Sequence, residues 1–254
     1  MEKVICIPMN KPVISVITIC FNCAEALDAT LKNVLSQKFK GMEIIVVDGG
    51  SHDHTPEILA RYANDIALTI SEPDDGIYDA INKGVSHANG EWVVCMNAGD
   101  CFASSDVLNR VFSLDIPDHI DFIYSDYLKK SATGNITRYE TDRRRGEVFH
   151  QSSIYRRSLH DRHGYYAVTH PYIVSDLLFF LQVPENSFMK VDFPISISEE
   201  SGVSSGLWCR EQALSLRVVF GMESINSAFL KYWSTRAKSI IPERMRRTIK
   251  QWIH

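Results

Sequence analysis

No apolar run in the 254 residues approaches the roughly 18 that a membrane-spanning helix needs, so nothing in the chain reads as a transmembrane segment. The opening MEKVICIPMNK lacks the basic, apolar and small-residue order of a secretory leader, and a cytoplasmic protein, soluble or peripherally attached, is the expectation. A disulfide framework is missing as well. The six cysteines, Cys6, Cys20, Cys23, Cys95, Cys101 and Cys209, lie mostly on or beside apolar runs in a chain too long to need covalent staples, which favours a reducing compartment. Low-complexity linkers and internal repeats are absent, so one domain with an appendage is the default. Nor is there an excess of positive charge: at a net −4 the surface as a whole does not suit nucleic acid or other polyanions. Two phosphate cradles are also lacking. No GxGxxG follows the first strand and no GxxxxGK[ST] occurs, which argues against a Rossmann dinucleotide site and a P-loop.

What is present is a regular alternation. VISVITIC, EIIVVD, DIALTI and EWVVCMN read as buried strands, and AEALDATLKNVLSQ, HTPEILARYA and GIYDAINKGVSHANG as the helices between them. Alternation at this spacing predicts right-handed βαβ units and a mostly parallel sheet covered on both faces. Beyond residue 97 the rhythm changes to α+β: a short helix over SSDVLNRVF, a hairpin of DFIYSDYLKK and NITRYE around Thr133 and Gly134, a strand in EVFHQSSIYRR, a helix in PYIVSDLLFFLQV and an extended SFMKVDFPISIS.

Ligands of open parallel sheets bind outside the carboxyl ends of the strands. There the chain collects Thr18, Cys20 and Asn22, then Asp48 to Asp53, then Glu72, Asp74 and Asp75, then Asn97 and Asp100. Clustered carboxylates are costly to keep ionised without a cation or hydrogen-bond donors, so this rim suits a metal and a hydroxyl-rich ligand. ISVITICFN, EIIVVDGGSHDHTPEIL, SEPDDGIYDAINKGVSHANGEWVVCMNAGD, HQSSIYRRS, IVSD and SGVSS, in that order over residues 13 to 205, resemble the family 2 glycosyltransferases of GT-A fold, in particular those that build bacterial O-antigens and exopolysaccharides.

The resemblance implies a GT-A domain over 1–205 with an α+β acceptor-side half, and a basic helical extension over 206–254. It implies transfer of a sugar, with inversion, from a nucleoside diphosphate donor, a UDP-sugar first, to a lipid-linked or oligosaccharide acceptor. Thr18, Cys20, Asn22 and Asp48 would hold the base, and Glu72, Asp74, Asp75, Asp79, Lys83 and Asn97 the nucleotide and donor sugar. MNAGD stands where the family carries its metal motif, so Asp100 would hold Mg²⁺ or Mn²⁺, although Gly99 occupies a position that is often aspartate. Asp176 would be the general base, its pKa raised by burial toward a useful value. His150 and Gln151 would face acceptor or metal, and Arg143, Arg144 and Arg145 would steer a diphosphate.

Plainer readings stand beside these. Asp48 also suits a turn cap, Asp79 and Lys83 an exposed i,i+4 pair, Asp176 a helix N-terminal carboxylate, His150 a hydrogen-bonded strand residue, and the three arginines a solvated loop. The missing acid at Gly99 leaves open a nucleotide-sugar-binding protein with little or no turnover. Cys20 and Cys23 leave open a thioredoxin-like redox pair, less favoured because such chains are far shorter and the acidic rim would go unexplained. The stretch from Phe229 interleaves Lys231, Arg236, Lys238, Arg244, Arg246, Arg247 and Lys250 with Trp233, Ile240, Ile241, Ile249 and Trp252, opposed by Glu243 alone. That pattern suits an anionic inner leaflet, or a packing helix with solvated charges.

Overall fold

The computed structural model describes residues 11–131, 133–168, 174–199 and 207–240. Its first half is the expected alternation: β1 (Ile14–Cys20), α1 (Ala24–Leu35), β2 (Met42–Asp48), α2 (Thr55–Arg61), β3 (Leu68–Ser71), α3 (Ile77–His87) and β4 (Trp92–Cys95). β1 pairs in parallel with β2 and β4, and β2 with β3. Every residue of β1 is buried because both faces of the sheet are covered, and the period of two sends alternate side chains to opposite cores. Ile14 and Val16 pack with Leu27, Leu31 and Val34 of α1, while Ile17 and Ile19 pack with Ile81 and Val85 of α3. Gly84 lets α3 lie close on β1: a Cβ there would come within 2.5 Å of Ile17 Cγ2. This approach sets the start of α3 over the carboxyl ends of the central strands.

The second half forms the expected antiparallel hairpin around Thr133 and Gly134, but with a shorter first strand than DFIYSDYLKK. After β5 (Cys101–Phe102) and α4 (Val107–Phe112), DFIYSDYLKK is split between two sheets. β6 (Phe122–Tyr124) joins the main sheet, whereas β7 (Tyr127–Lys130) pairs with β8 (Ile136–Tyr139) in a smaller one. Ser125 and Asp126 make the break. Asp126 is held by Arg138 and Lys190, each at 2.6 Å, and by the Thr141 N–H at 3.1 Å, so the chain leaves one sheet at a fixed point. The strand expected over EVFHQSSIYRR shortens to β9 (Ser153–Arg156), because His150–Ser152 tighten into a 3-10 turn. α5 (Ser158–His163), α6 (Ser175–Gln182), β10 (Phe188–Lys190) and β11 (Ser196–Glu199) follow. Residues 171–173 of the helix expected before α6 lie outside the described residues.

The main sheet has the order β10-β6-β9-β4-β1-β2-β3, with β9 antiparallel to both neighbours. The smaller sheet has the order β5-β11-β7-β8. The extension contains α7 (Leu207–Val219) and α8 (Ile225–Ile240), and its basic residues beyond 240 lie outside the described residues. Its Lys231 is opposed by Glu223, an acid just upstream of the stretch in which Glu243 alone was counted. No helix among the described residues is long and apolar enough to cross a membrane.

Candidate active site

A cavity of about 600 Å³ opens at the carboxyl ends of β1 and β4 and runs to the smaller sheet and α7. Of the residues expected from the sequence, it brings together Cys20, Asp74, Asn97, Asp100, His150, Gln151 and Asp176. Thr18, Asn22, Asp48, Glu72, Asp75, Asp79 and Lys83 do not reach its wall.

The second group has structural partners. Asp48 is fully buried and accepts from the Ser51 hydroxyl (2.5 Å) and N–H, and from the Ser71 hydroxyl at 2.6 Å. Asn22 takes a left-handed conformation, φ +47°, which asparagine tolerates better than most residues. From there its N–H donates to Ser51 Oγ and its Oδ1 accepts from the His52 N–H, both at 2.8 Å, tying the first two strand ends together. Lys83 reaches Glu72 at 2.9 Å, Asp79 at 3.1 Å and the Pro73 carbonyl at 3.0 Å. That cluster shapes the loop before α3. Thr18 is fully buried, and its hydroxyl has no partner among the described residues.

Asp176 stands at the start of α6, 97 positions from Asp79 in sequence but on the same cavity as the β4 end. Its Oδ1 accepts from the Tyr78 hydroxyl and its Oδ2 faces His150 Nδ1, each at 2.8 Å. A ring nitrogen that meets a carboxylate carries the proton, so His150 Nδ1 donates. The other nitrogen, Nε2, then accepts from Asn97 Nδ2 at 3.2 Å. Asn97, His150, Asp176 and Tyr78 thus form one hydrogen-bonded chain from β4 to α3. Burial pushes the Asp176 carboxyl up, as the sequence reading expects, but His150 and then Tyr78 outweigh it and hold the carboxyl below the usual value. The expected upward shift is therefore corrected to a downward one. His150 moves the opposite way: burial lowers it, yet Asp176 and Asp100 raise it above an ordinary histidine. Tyr78 carries no catalytic signature in the sequence, and only its place in the fold reveals it.

The donors on Asp100 do not outweigh its burial. Burial pushes its carboxyl up to about 6, and Glu199 adds repulsion while Ser198 and His150 oppose it. No group of three or more His, Cys, Asp or Glu side chains gathers as a metal cage among the described residues. Asp100 would instead supply a single protein carboxylate to a hard divalent cation of the kind that commonly takes only one or two. Asn97 Oδ1, buried and without a partner among the described residues, is a second oxygen on the same wall. Gly99 has φ +101°, which L side chains rarely adopt, so the turn itself selects glycine where an aspartate was looked for. Cys20 and Cys23 line the wall as free thiols, with Cys23 lowered to about 7 by its hydrogen bond with Cys20. Arg143 does not face a ligand: it is buried, donating to the Leu181 and Val183 carbonyls. Arg144 and Arg145 pair with Glu185 and Glu147.

Comparison with known proteins fits this geometry. A PGL/p-HBAD biosynthesis glycosyltransferase of Mycobacterium bovis is 32% identical over 168 residues, 62% of this chain and 64% of that protein. The matched stretches take in 38% and 64% of the length of such curated relatives. Staphylococcus aureus TarS, solved in complex with UDP-GlcNAc, superposes with a TM-score of 0.66 at 20% identity, covering 82% of this chain and 66% of that one. A mannosyltransferase from Pyrobaculum calidifontis, solved with GDP-Man and Mn²⁺, gives 0.66 at 16% identity, covering 97% and 81%. These similarities make the fold GT-A. The model of the family described as Glycosyl transferase family 2 matches residues 15–178, well over half of the chain, so the protein belongs to glycosyl transferase family 2.

Proposed function

We propose that the chain transfers a sugar, with inversion, from a nucleoside diphosphate sugar to a hydroxyl of a saccharide acceptor. The observation that carries this reading is the placement of Asp176 and Asp100 on one cavity, the first held below the usual carboxylate value by His150 and Tyr78 and the second raised to about 6 by burial. Asp176, kept ionised by His150 and Tyr78, accepts the acceptor's hydroxyl proton as that oxygen attacks the anomeric carbon. The bond from that carbon to the diphosphate breaks on the opposite face, and the leaving oxygen takes the electron pair. Asp100 would hold a divalent cation, Mg²⁺ or Mn²⁺, whose contribution when bound is to neutralise charge growing on the diphosphate. UDP-sugars are the first donors to test, because the TarS complex named above contains one.

The exposed apolar side of α8 and the basic residues that follow it in sequence support a lipid-linked acceptor met at an anionic inner leaflet. Synthesis of a bacterial surface polysaccharide from the cytoplasmic side is the setting this implies. A second reading, donor binding with little turnover, is favoured by the lone carboxylate and by the turn that requires Gly99. One experiment separates them. A thermal-shift screen of UDP-glucose, UDP-galactose, UDP-GlcNAc and GDP-mannose with Mg²⁺ or Mn²⁺ finds the donor, since a ligand of the native state raises its apparent stability. NMR of the released sugar then follows turnover and the anomer formed. Inverted product lost in Asp176→Asn supports transfer; a donor that binds and is never consumed supports the second reading, and retention of configuration overturns the mechanism.

A further inference from the structure

The wall of the cavity opposite the β1 end carries an aromatic surface that the site described so far does not use. Phe149 lines the cavity and is 38% exposed, unlike Phe102 and Phe122, which are fully buried in the cores. Tyr127 of β7 stacks on it, with ring centroids 4.9 Å apart and planes at 26°. The ring is also fixed from behind. The Phe149 carbonyl accepts from Ser153 Oγ at 2.7 Å and from the Ser152 N–H at 3.1 Å, so the backbone that carries the ring is anchored at the 3-10 turn. The next residue in the chain is His150, which holds Asp176.

Polar groups surround this ring. Tyr127 and Lys129 alternate along β7 and both line the cavity, and Ser198 of β11 is in register with Lys129. The Ser198 hydroxyl is buried beside Asp100 and Tyr127, both of which it steadies by hydrogen bonding, and Lys129 and Glu199 form no ion pair among the described residues. By contrast Glu147 and Arg217, further along the same wall, neutralise each other at 3.1 Å. A partly exposed aromatic ring beside a cation and an acid that form no ion pair, with a hydroxyl between strands, has the chemistry of a sugar site. One face of a pyranose presents only C–H groups, which suit the negative face of an aromatic ring. Its rim presents hydroxyls that both donate and accept.

We infer that Phe149, backed by Tyr127, is a stacking platform for an acceptor pyranose, and that Lys129, Ser198 and Glu199 bind that sugar's hydroxyls. The inference rests on the transferase reading and names the acceptor class at the same site. It sets the acceptor ring next to His150 and Asp176, where one of its hydroxyls meets the base.

Saturation-transfer NMR tests it without a known acceptor. The probes are methyl glycosides of glucose, galactose, mannose and N-acetylglucosamine, and octyl glucoside, each with and without UDP. At least one glycoside should receive saturation through its ring C–H protons, with UDP present as well as absent. Phe149→Leu, apolar and of similar size but without a π-face, should weaken that signal about fivefold, and Phe149→Tyr should restore it. Four outcomes overturn the platform: no glycoside saturated by the wild type, equal signal in Phe149→Leu, displacement of the sugar by UDP, or saturation of the octyl chain alone. Phe149→Leu is judged only if its melting temperature and circular dichroism match the wild type. If it does not fold, Lys129→Ala replaces it and must show the same loss. A separate thermal-shift titration with UDP and GDP reports on the nucleotide site. Its failure would count against the transferase reading, whereas the glycoside result counts for or against the platform.

Discussion

The Asp176 carboxyl is set by two opposed effects of similar kind: burial, which favours the neutral acid, and donors on both oxygens, which favour the charged one. The donors win, and His150 is the larger of them. A base must be ionised to act, so activity rises with pH through the Asp176 pKa. Removing His150 leaves burial opposed by Tyr78 and the Leu177 N–H and raises that pKa, so in His150→Ala the acid limb of the kcat/KM profile should move to higher pH. His150→Gln, which can still donate, should fall between. Asp176→Asn should cost roughly 10²- to 10⁴-fold in transfer at every pH. An acid limb that stays in place in His150→Ala would sink this account. Asp176, Asp100 and His150 were legible as residue types at strand and helix starts, but their partners were not. Tyr78 and Asp176 are 98 positions apart, and no local pattern links a tyrosine on one helix to an acid at the start of another.

Elements with a strong period were the most legible. β1, β2 and β4 carry apolar runs buried on both faces while β3, at the sheet edge, is half-exposed, so both the type and the parallel order of the inner strands follow from composition and spacing. The hairpin formed by 127–139 follows from the sequence, but the break within 121–130 does not, because the apolar run continues across Ser125 and Asp126 and what divides it is tertiary: Asp126 meets Lys190, Thr141 and Arg138 from three different segments. The same clamp gives a stability prediction. Burial disfavours the Asp126 charge, but Lys190, the Thr141 N–H and Arg138 outweigh it and hold the carboxyl well below the usual range. A depressed carboxyl contributes stability above its unfolded pKa, about 3.9, and loses it as pH falls through the folded value. Asp126→Asn should therefore cost about 2 kcal/mol at pH 7, measured by urea unfolding. The gap from wild type should narrow steadily below about pH 4. A gap that is constant with pH would show that the side chain acts by packing and not by its charge.

On the scale of the whole molecule, charge and apolar surface are unevenly distributed. The chain carries a net −4, yet its last 26 residues hold seven lysines and arginines against one acid, with four aromatic residues among them. The described part of that region leaves Ile225 74%, Phe229 61%, Leu230 70% and Trp233 55% exposed on α8. At spacings of four, five and eight from Ile225 these residues share one side of the helix. A packing helix would bury that side. A helix lying in a membrane interface would instead insert it while its basic residues meet anionic headgroups, each adding about 1 kcal/mol near the surface. The full chain should therefore sediment with phosphatidylcholine vesicles that contain phosphatidylglycerol, sediment much less with phosphatidylcholine alone, and be released by salt. Replacing both Phe229 and Trp233 by serine should weaken binding roughly tenfold or more while leaving the UDP thermal shift in place, since neither residue touches the cavity. If the double variant binds vesicles as the wild type does, and the wild type proves to be a dimer that the variant is not, the exposed side of α8 belongs to a second copy of the chain and not to lipid.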